Sequence, residues 1–209
     1  DSVNGNNFST AIANAGENTT VILNGDYTGV NTLTTVQQGQ DILGAANLKV
    51  KTPSGRTVSI TTPSASLSGA GSNSGSGSVR FFDMADNSSL IGVKAKITNS
   101  SSAIIAKIEG KDNVKILNNT LISEVSSETA GILEIRNSRN VTVRDNNMNV
   151  IANGYNGAVL QILNNNANID FSNNTLNMAG TSPVSKWVTY FLGTGVTINN
   201  LSGTGNTSN

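Results

Sequence analysis

The sequence predicts an all-β chain wound as a parallel β-solenoid of six or seven coils, and three features of its 209 residues carry that prediction. The first is self-similarity. The segments Asn113-Val-Lys-Ile-Leu-Asn-Asn-Thr-Leu121, Asn140-Val-Thr-Val-Arg-Asp-Asn-Asn-Met148 and Asn168-Ile-Asp-Phe-Ser-Asn-Asn-Thr-Leu176 align without gaps at a period of about 27 residues, and Gly195-Val-Thr-Ile-Asn-Asn-Leu201 follows one residue shorter. The second is alternation. Apolar residues make up 36% of the chain and fall in short runs such as Val114-Lys-Ile116, Val141-Thr-Val143 and Ile169-Asp-Phe171, the period-two pattern of strands, and enough apolar surface to offset chain entropy. The third is composition. The chain holds 32 asparagines, and several of them recur where each strand pattern breaks. Repeats of this length with short strands and no helix stack so that each strand pairs with its counterpart one coil away, about 4.8 Å along the axis, and equivalent side chains form ladders.

Residues 1–202 read as one domain and 203–209 as a linker-like tail. Within about 7–16, Phe8, Ala11, Ile12 and Ala15 recur at helical spacing, Asn7 or Ser9 can start the turn and Gly16 can stop it. Such a helix covers the open end of the first coil, which otherwise exposes apolar core and strand edge. The Ser/Gly-rich stretch 64–78 reads as a flexible loop leaving the stack. No GxxxxGK[ST] and no GxGxxG opening a helix is present, so it is not a phosphate cradle of those kinds.

The coils are most regular over 88–201, and Leu90–Ile97 fits one coil earlier at a period nearer 24. Val114, Val141, Ile169 and Val196 form one inner ladder, and Ile116, Val143, Phe171 and Ile198 another. Asn119, Asn146 and Asn174 share one position, where Asn can adopt a left-handed backbone at a sharp bend and stacked amides can bond along the axis. A second strand recurs in step, as Ala103–Ile108, Gly131–Ile135, Ala158–Ile162 and Trp187–Leu192. Its outward ladder is Lys107, Glu134 and Gln161, with Glu109 beside Arg136 on the next coil. These read first as a solvated ion-pair face and second as a ligand groove. Trp187, Tyr190 and Phe191 close the last coil, dock a following domain, or form a sugar-stacking platform.

Charge and composition exclude several functions. Thirteen cations balance thirteen anions with no basic run, which argues against nucleic acid. The absence of Cys and His removes Cys/His metal sites, thiol nucleophiles and His-based triads. No apolar run reaches the length of a membrane helix. The start at Asp1 and the tail fit a piece of a longer chain with adjoining domains, and freedom from cysteine suits export.

The opening Phe8-Ser-Thr-Ala-Ile-Ala-Asn-Ala, followed by Thr20-Val-Ile-Leu-Asn-Gly-Asp-Tyr27, resembles the start of right-handed parallel β-helix proteins of the pectin-lyase-like superfamily. Gln40-Asp-Ile-Leu-Gly44 and the Asn-Asn-Thr-Leu coils are similar to that group as well. The resemblance implies the handedness, and it implies either a polysaccharide-active enzyme or a non-catalytic passenger of an adhesin. The enzyme motifs are missing. Polygalacturonase-like members carry Asn-Thr-Asp, Asp-Asp and Gly-His-Gly, and pectate-lyase-like members an Asp-His pair; none occurs here. Lyase chemistry also needs clustered carboxylates for calcium, and the nearest group, Glu124 and Glu128 with Arg136 and Arg139 beyond, reads as a solvated turn. The ladders put no two carboxylates on neighbouring coils, as glycoside hydrolysis would require, and Asp83 with Asp86 is a weak signal. No Thr-x-Thr recurs in the coils, against ice binding, and the Asn-x-Ser/Thr sequons are as many as chance supplies.

The expectation is therefore a non-catalytic module of a secreted or surface-displayed bacterial protein, a rigid stalk or an adhesin-type binder of glycan or host-surface protein. No metal or cofactor is expected. The candidate binding residues are Lys107, Glu109, Glu134, Arg136 and Gln161, with Trp187 and Tyr190 at the far end.

Overall fold

The computed structural model describes residues 7–51, 54–73, 75, 77–181, 185–192, 198–202 and 207–208, and side chains over 7–47, 54–73, 75 and 77–181. A helix α1 (Phe8–Ala15) opens the chain. The first circuit is β1 (Thr20–Ile22), β2 (Gly25–Thr28) and β3 (Thr34–Thr35). The second is β4 (Asp41–Leu43), a hairpin of β5 (Asn47–Lys51) and β6 (Thr57–Thr61), then β7 (Ala65–Gly69) and β8 (Phe82–Asp83). Four uninterrupted turns follow: β9 (Ser89–Ile91), β10 (Val93–Asn99), β11 (Ala106–Glu109); β12 (Lys115–Leu117), β13 (Thr120–Val125), β14 (Ala130–Arg136); β15 (Arg139–Arg144), β16 (Asn147–Ala152), β17 (Asn156–Leu163); and β18 (Asn166–Ser172), β19 (Thr175–Ala179), β20 (Ser185–Leu192). Strands β21 (Ile198–Ser202) and β22 (Thr207–Ser208) end the chain.

With the hairpin β5–β6 set aside, every third strand pairs in parallel with its counterpart one coil away, giving a first sheet β1-β4-β9-β12-β15-β18-β21, a second β2-β7-β10-β13-β16-β19-β22 and a third β3-β8-β11-β14-β17-β20. The fold is a parallel β-solenoid. Its regular part is about four turns, fewer than the six or seven coils expected, because the first two circuits use strands of two to five residues and are broken by the hairpin and by an excursion. That excursion is shorter than the expected loop 64–78, since Ala65–Gly69 is strand β7, paired with β2 and β10. Alternation within Ala-Ser-Leu-Ser-Gly buries Ala65 and Leu67, a strand signal hidden by the Ser/Gly composition.

The inner ladders close the core. Leu90 pairs with Ile116, Ile116 with Val143 and Val143 with Phe171, steps of 26, 27 and 28 residues, so the upstream coil is closer to the rest than a period of 24. The first three are fully buried and Phe171 nearly so. One register prediction fails. Ile169 pairs with Leu201 and Asn166 with Ile198, so Ile198 does not continue the Phe171 ladder, and Val196 lies outside the described residues. Alternation locates a strand without marking its register, and the shortened Gly195–Leu201 segment lacked the Asn spacing that fixes it elsewhere.

Helix α1 caps the stack as its spacing implies. Phe8 and Ile12 are buried, and the Phe8 ring meets Tyr27 and Phe82 edge-on at centroid distances of 5.3 and 6.2 Å. Gly16, at φ 82°, ends the helix. The buried Gln40 fastens the cap, its Nε2 donating to Ile12 O at 3.0 Å and Gly16 O at 3.1 Å while its Oε1 accepts from Gln37 N at 3.1 Å. Among the described residues no helix is long and apolar enough to cross a membrane.

Candidate functional site: a polar groove between the third and first sheets

The chain turns three corners in each regular coil, and left-handed residues make two of them. Between the first and second sheets Gly92, Asn118, Asp145 and Asn173 have φ of 68, 56, 58 and 55°. Between the third and first sheets Asn87, Asn113, Asn140 and Asn168 lie at 54–56°, with Asn137 and Asn164 joining them one bend earlier. All ten non-glycine residues at positive φ among the described residues are Asn or Asp, which reach that region at lower cost than branched side chains.

The ladder asparagines follow the first of these corners. Asn119, Asn146 and Asn174 are buried and do not themselves turn left-handed; the residue before each does. The Asn119 amide and Nδ2 donate to Asn146 Oδ1 at 2.9 and 3.0 Å, and Asn146 repeats this to Asn174 Oδ1 at 3.0 and 2.9 Å. The other Nδ2 protons reach back to Leu90, Ile116 and Val143 carbonyls, each at 2.9 Å. Val93 N donates to Asn119 Oδ1 at 2.9 Å and tops the column. This column saturates backbone groups inside the corner and offers nothing outward.

The other corner holds a different arrangement. Lys111, Ser138 and Asn166 follow one another up the axis: Lys111 N donates to Ser138 Oγ at 3.1 Å, and Ser138 N to Asn166 Oδ1 at 2.9 Å. Along this column, which is buried at Ser138 and Asn166, runs a groove of about 870 Å³, lined by residues of successive corners from Gln38 to Ala167. Its charged residues are Asp86, Lys111, Asp112 and Arg139, two of each sign, and exposed Asn137 and Asn165 lie among them. Asp112 N donates to Asp86 Oδ1 at 2.7 Å, Asn140 Nδ2 to Asp112 Oδ1 at 2.7 Å, and Arg139 Nε lies 3.3 Å from Asp112 Oδ2. Asp86 and Asp112 thus sit on neighbouring coils, which corrects the expectation that no outward ladder does this. The signal was in the sequence, because Asp86, Asp112, Arg139 and Ala167 immediately precede the left-handed asparagines 87, 113, 140 and 168.

The residues predicted for binding lie on the neighbouring third sheet. Lys107 pairs with Glu134 and Glu109 with Arg136, and Glu134 with Gln161, the register expected. Lys107 contacts Glu109, and its Nζ lies 3.9 Å from Glu134; Arg136 reaches Glu109 at 3.6 Å and Glu134 at 3.3 Å. The Lys107 hydrogen bond holds the Glu109 carboxyl below the usual carboxylate range; partial burial opposes it, and the charges of Lys107, Arg136 and Arg80 add to the lowering. Four charges therefore neutralise one another. Next to them Arg80 pairs with Asp83 beside a cleft of about 350 Å³. Trp187 and Tyr190 stand in register with Ala158 and Gln161, and their side chains lie outside the described residues. Glu124 is not on a turn: it lies in β13, 2.9 Å from Lys96 Nζ. No group of three carboxylates placed to hold a metal occurs among the described residues. No protein-family model, curated protein or solved structure matches the chain.

Proposed function

We propose that the chain is a non-catalytic β-solenoid module of a secreted or surface-displayed bacterial protein that binds glycan along the groove between its third and first sheets. The observation that carries this reading is the groove's length and lining. It crosses successive coils along the stack axis, as an extended polymer would lie, and its donors and acceptors come from side chains of both charges and from exposed asparagines. Sugar hydroxyls, each both donor and acceptor, suit such a lining. The ion-pair face of Lys107, Glu109, Glu134 and Arg136 is a structural neighbour in this reading, because its charges are spent on one another. Adjoining domains and a host-surface protein partner belong to the same proposal.

The enzyme reading keeps one supporting observation, the Asp86 and Asp112 pair on adjacent coils within the groove. One experiment separates the two: a broad glycan array, run beside reducing-end and unsaturated-product assays on polysaccharides with added calcium. Binding without turnover is expected, weakened about tenfold or more by Arg139→Ala with Asn165→Ala and unchanged by Lys107→Gln. Product that disappears in Asp112→Asn would transfer the groove to catalysis. No binding on the array would leave the stalk as the whole function.

A further inference from the structure

Four charged side chains line the groove between the third and first sheets, and two of them are already matched. Asp112 accepts from Asn140 Nδ2 at 2.7 Å, and its other oxygen lies 3.3 Å from Arg139 Nε. Asp86 and Lys111 are left. Asp86 Oδ1 accepts from Asp112 N at 2.7 Å, which fixes the carboxylate in place, while Oδ2 has no hydrogen-bond or ion-pair partner among the described residues. The backbone of Lys111 is held by Ser138 Oγ and Arg139 N, at 3.1 and 3.0 Å, while its ammonium has no partner among the described residues. Lys111 also lines the neighbouring cleft of about 350 Å³, and both carboxylates lining that cleft are engaged, Asp83 with Arg80 and Glu109 with Lys107. Asp86 and Lys111 are both half-buried.

An unpaired anion and an unpaired cation inside one groove constrain what can cover it. A neutral polymer lying over Asp86 and Lys111 strips water from two charges and returns only hydroxyl contacts, whereas a polymer of complementary charge replaces the lost water at both. Asp86 and Asp112 occupy one position on neighbouring coils and Lys111 precedes Asp112, so the two open charges stand one coil apart, about 4.8 Å along the axis. That advance is close to the length of one sugar unit in an extended chain. We propose, on the reading of this groove as the glycan site, that its ligand is a zwitterionic polysaccharide in which an amino sugar with a free ammonium group adjoins an acidic sugar, the ammonium meeting Asp86 and the anionic group meeting Lys111. A purely acidic polymer would set its charge against Asp86 and Asp112, and a purely cationic one against Lys111 and Arg139, so each meets like charge along the groove.

Three probes of known charge, titrated calorimetrically into the full chain, test it: hyaluronan, which carries carboxylates only; chitosan, which carries ammonium groups only; and partly N-deacetylated hyaluronan, which carries both on adjoining sugars. The third should bind at least about tenfold more tightly than either of the others, and less tightly as salt rises. Asp86→Asn keeps an acceptor for Asp112 N and should abolish the preference over hyaluronan, and Lys111→Gln should abolish the preference over chitosan, with melting curves unchanged in both. The comparison of probes on the unsubstituted chain stands whether or not a variant folds. Affinity for hyaluronan or chitosan equal to that for the third probe or greater, or a preference that survives both variants, would overturn the proposal. So would binding confined to neutral glycans and weakened by Arg139→Ala with Asn165→Ala, a result that leaves the groove as the glycan site. No binding to any glycan, the three probes included, would remove the groove reading itself and this inference with it.

Discussion

Asparagine does two jobs in adjacent residues of this chain, and substitution can separate them. At Asn146 the side chain accepts from two groups of Asn119 and donates to Ile116 O and Asn174 Oδ1, all inside a buried corner. Asn146→Leu strands those partners without water. Asn174 Oδ1 keeps the amide of residue 146, so three groups are left unpaired at about 1–3 kcal/mol each, a total of at least about 3 kcal/mol. For a chain of this size that is a fall in melting temperature of roughly 10 °C. Asn173, at φ 55°, is needed for its backbone instead. Asn173→Gly should be nearly neutral, whereas Asn173→Val should cost about 1–2 kcal/mol. Thermal melts of the three variants check this pair of roles; an Asn146→Leu melt within a degree or two of the parent would remove the ladder argument. The ladder was legible because the repeat puts Asn119, Asn146 and Asn174 in one column. The division of labour was not, because in Asn118-Asn119 and Asn173-Asn174 the two roles fall on identical neighbours, and only Asp145, which serves as the left-handed residue, breaks the ambiguity.

At the scale of elements, the cap and the hairpin are the two additions to the repeat. The cap was readable from helical spacing at Phe8, Ala11, Ile12 and Ala15, yet its fastening was not, since Gln40 lies 28 residues from the carbonyl it holds. Gln40→Leu removes donors to Ile12 O and Gly16 O and the acceptor for Gln37 N. It should cost about 1–3 kcal/mol and open the helix ahead of the stack. Amide exchange read residue by residue checks it: protection should fall across α1 and β1 and stay unchanged in β14 and β17. A uniform loss would mean that the cap and the coils unfold as one. The hairpin is hidden in the sequence for a different reason. Leu48-Lys-Val50 and Val58-Ser-Ile60 alternate like every other strand here, and alternation carries no information on whether a strand joins a coil or only its neighbour.

Across the whole molecule, each coil touches chiefly the coils on either side, so stability is a sum of local terms and neighbour interfaces. The regular turns from β9 to β20 have strands of three to eight residues, continuous inner ladders and the Asn119–Asn146–Asn174 column. The first two circuits have strands of two to five residues and rely on the cap and on the Phe8, Phe81 and Phe82 cluster. Protection against amide exchange should therefore peak in the central turn, at β13, β14 and β16, and decline toward both ends. Asn146→Leu tests this arrangement at a distance, because its partners lie on the coils before and after it. In a one-dimensional stack its damage spreads to β12–β13 and β18–β19 and fades by β4 and β7. If exchange instead rose equally everywhere, the chain would be a single cooperative unit. The groove, which spans several coils along the axis, would then be a rigid rail; with graded protection, its two ends open independently and a bound polymer would tie them together.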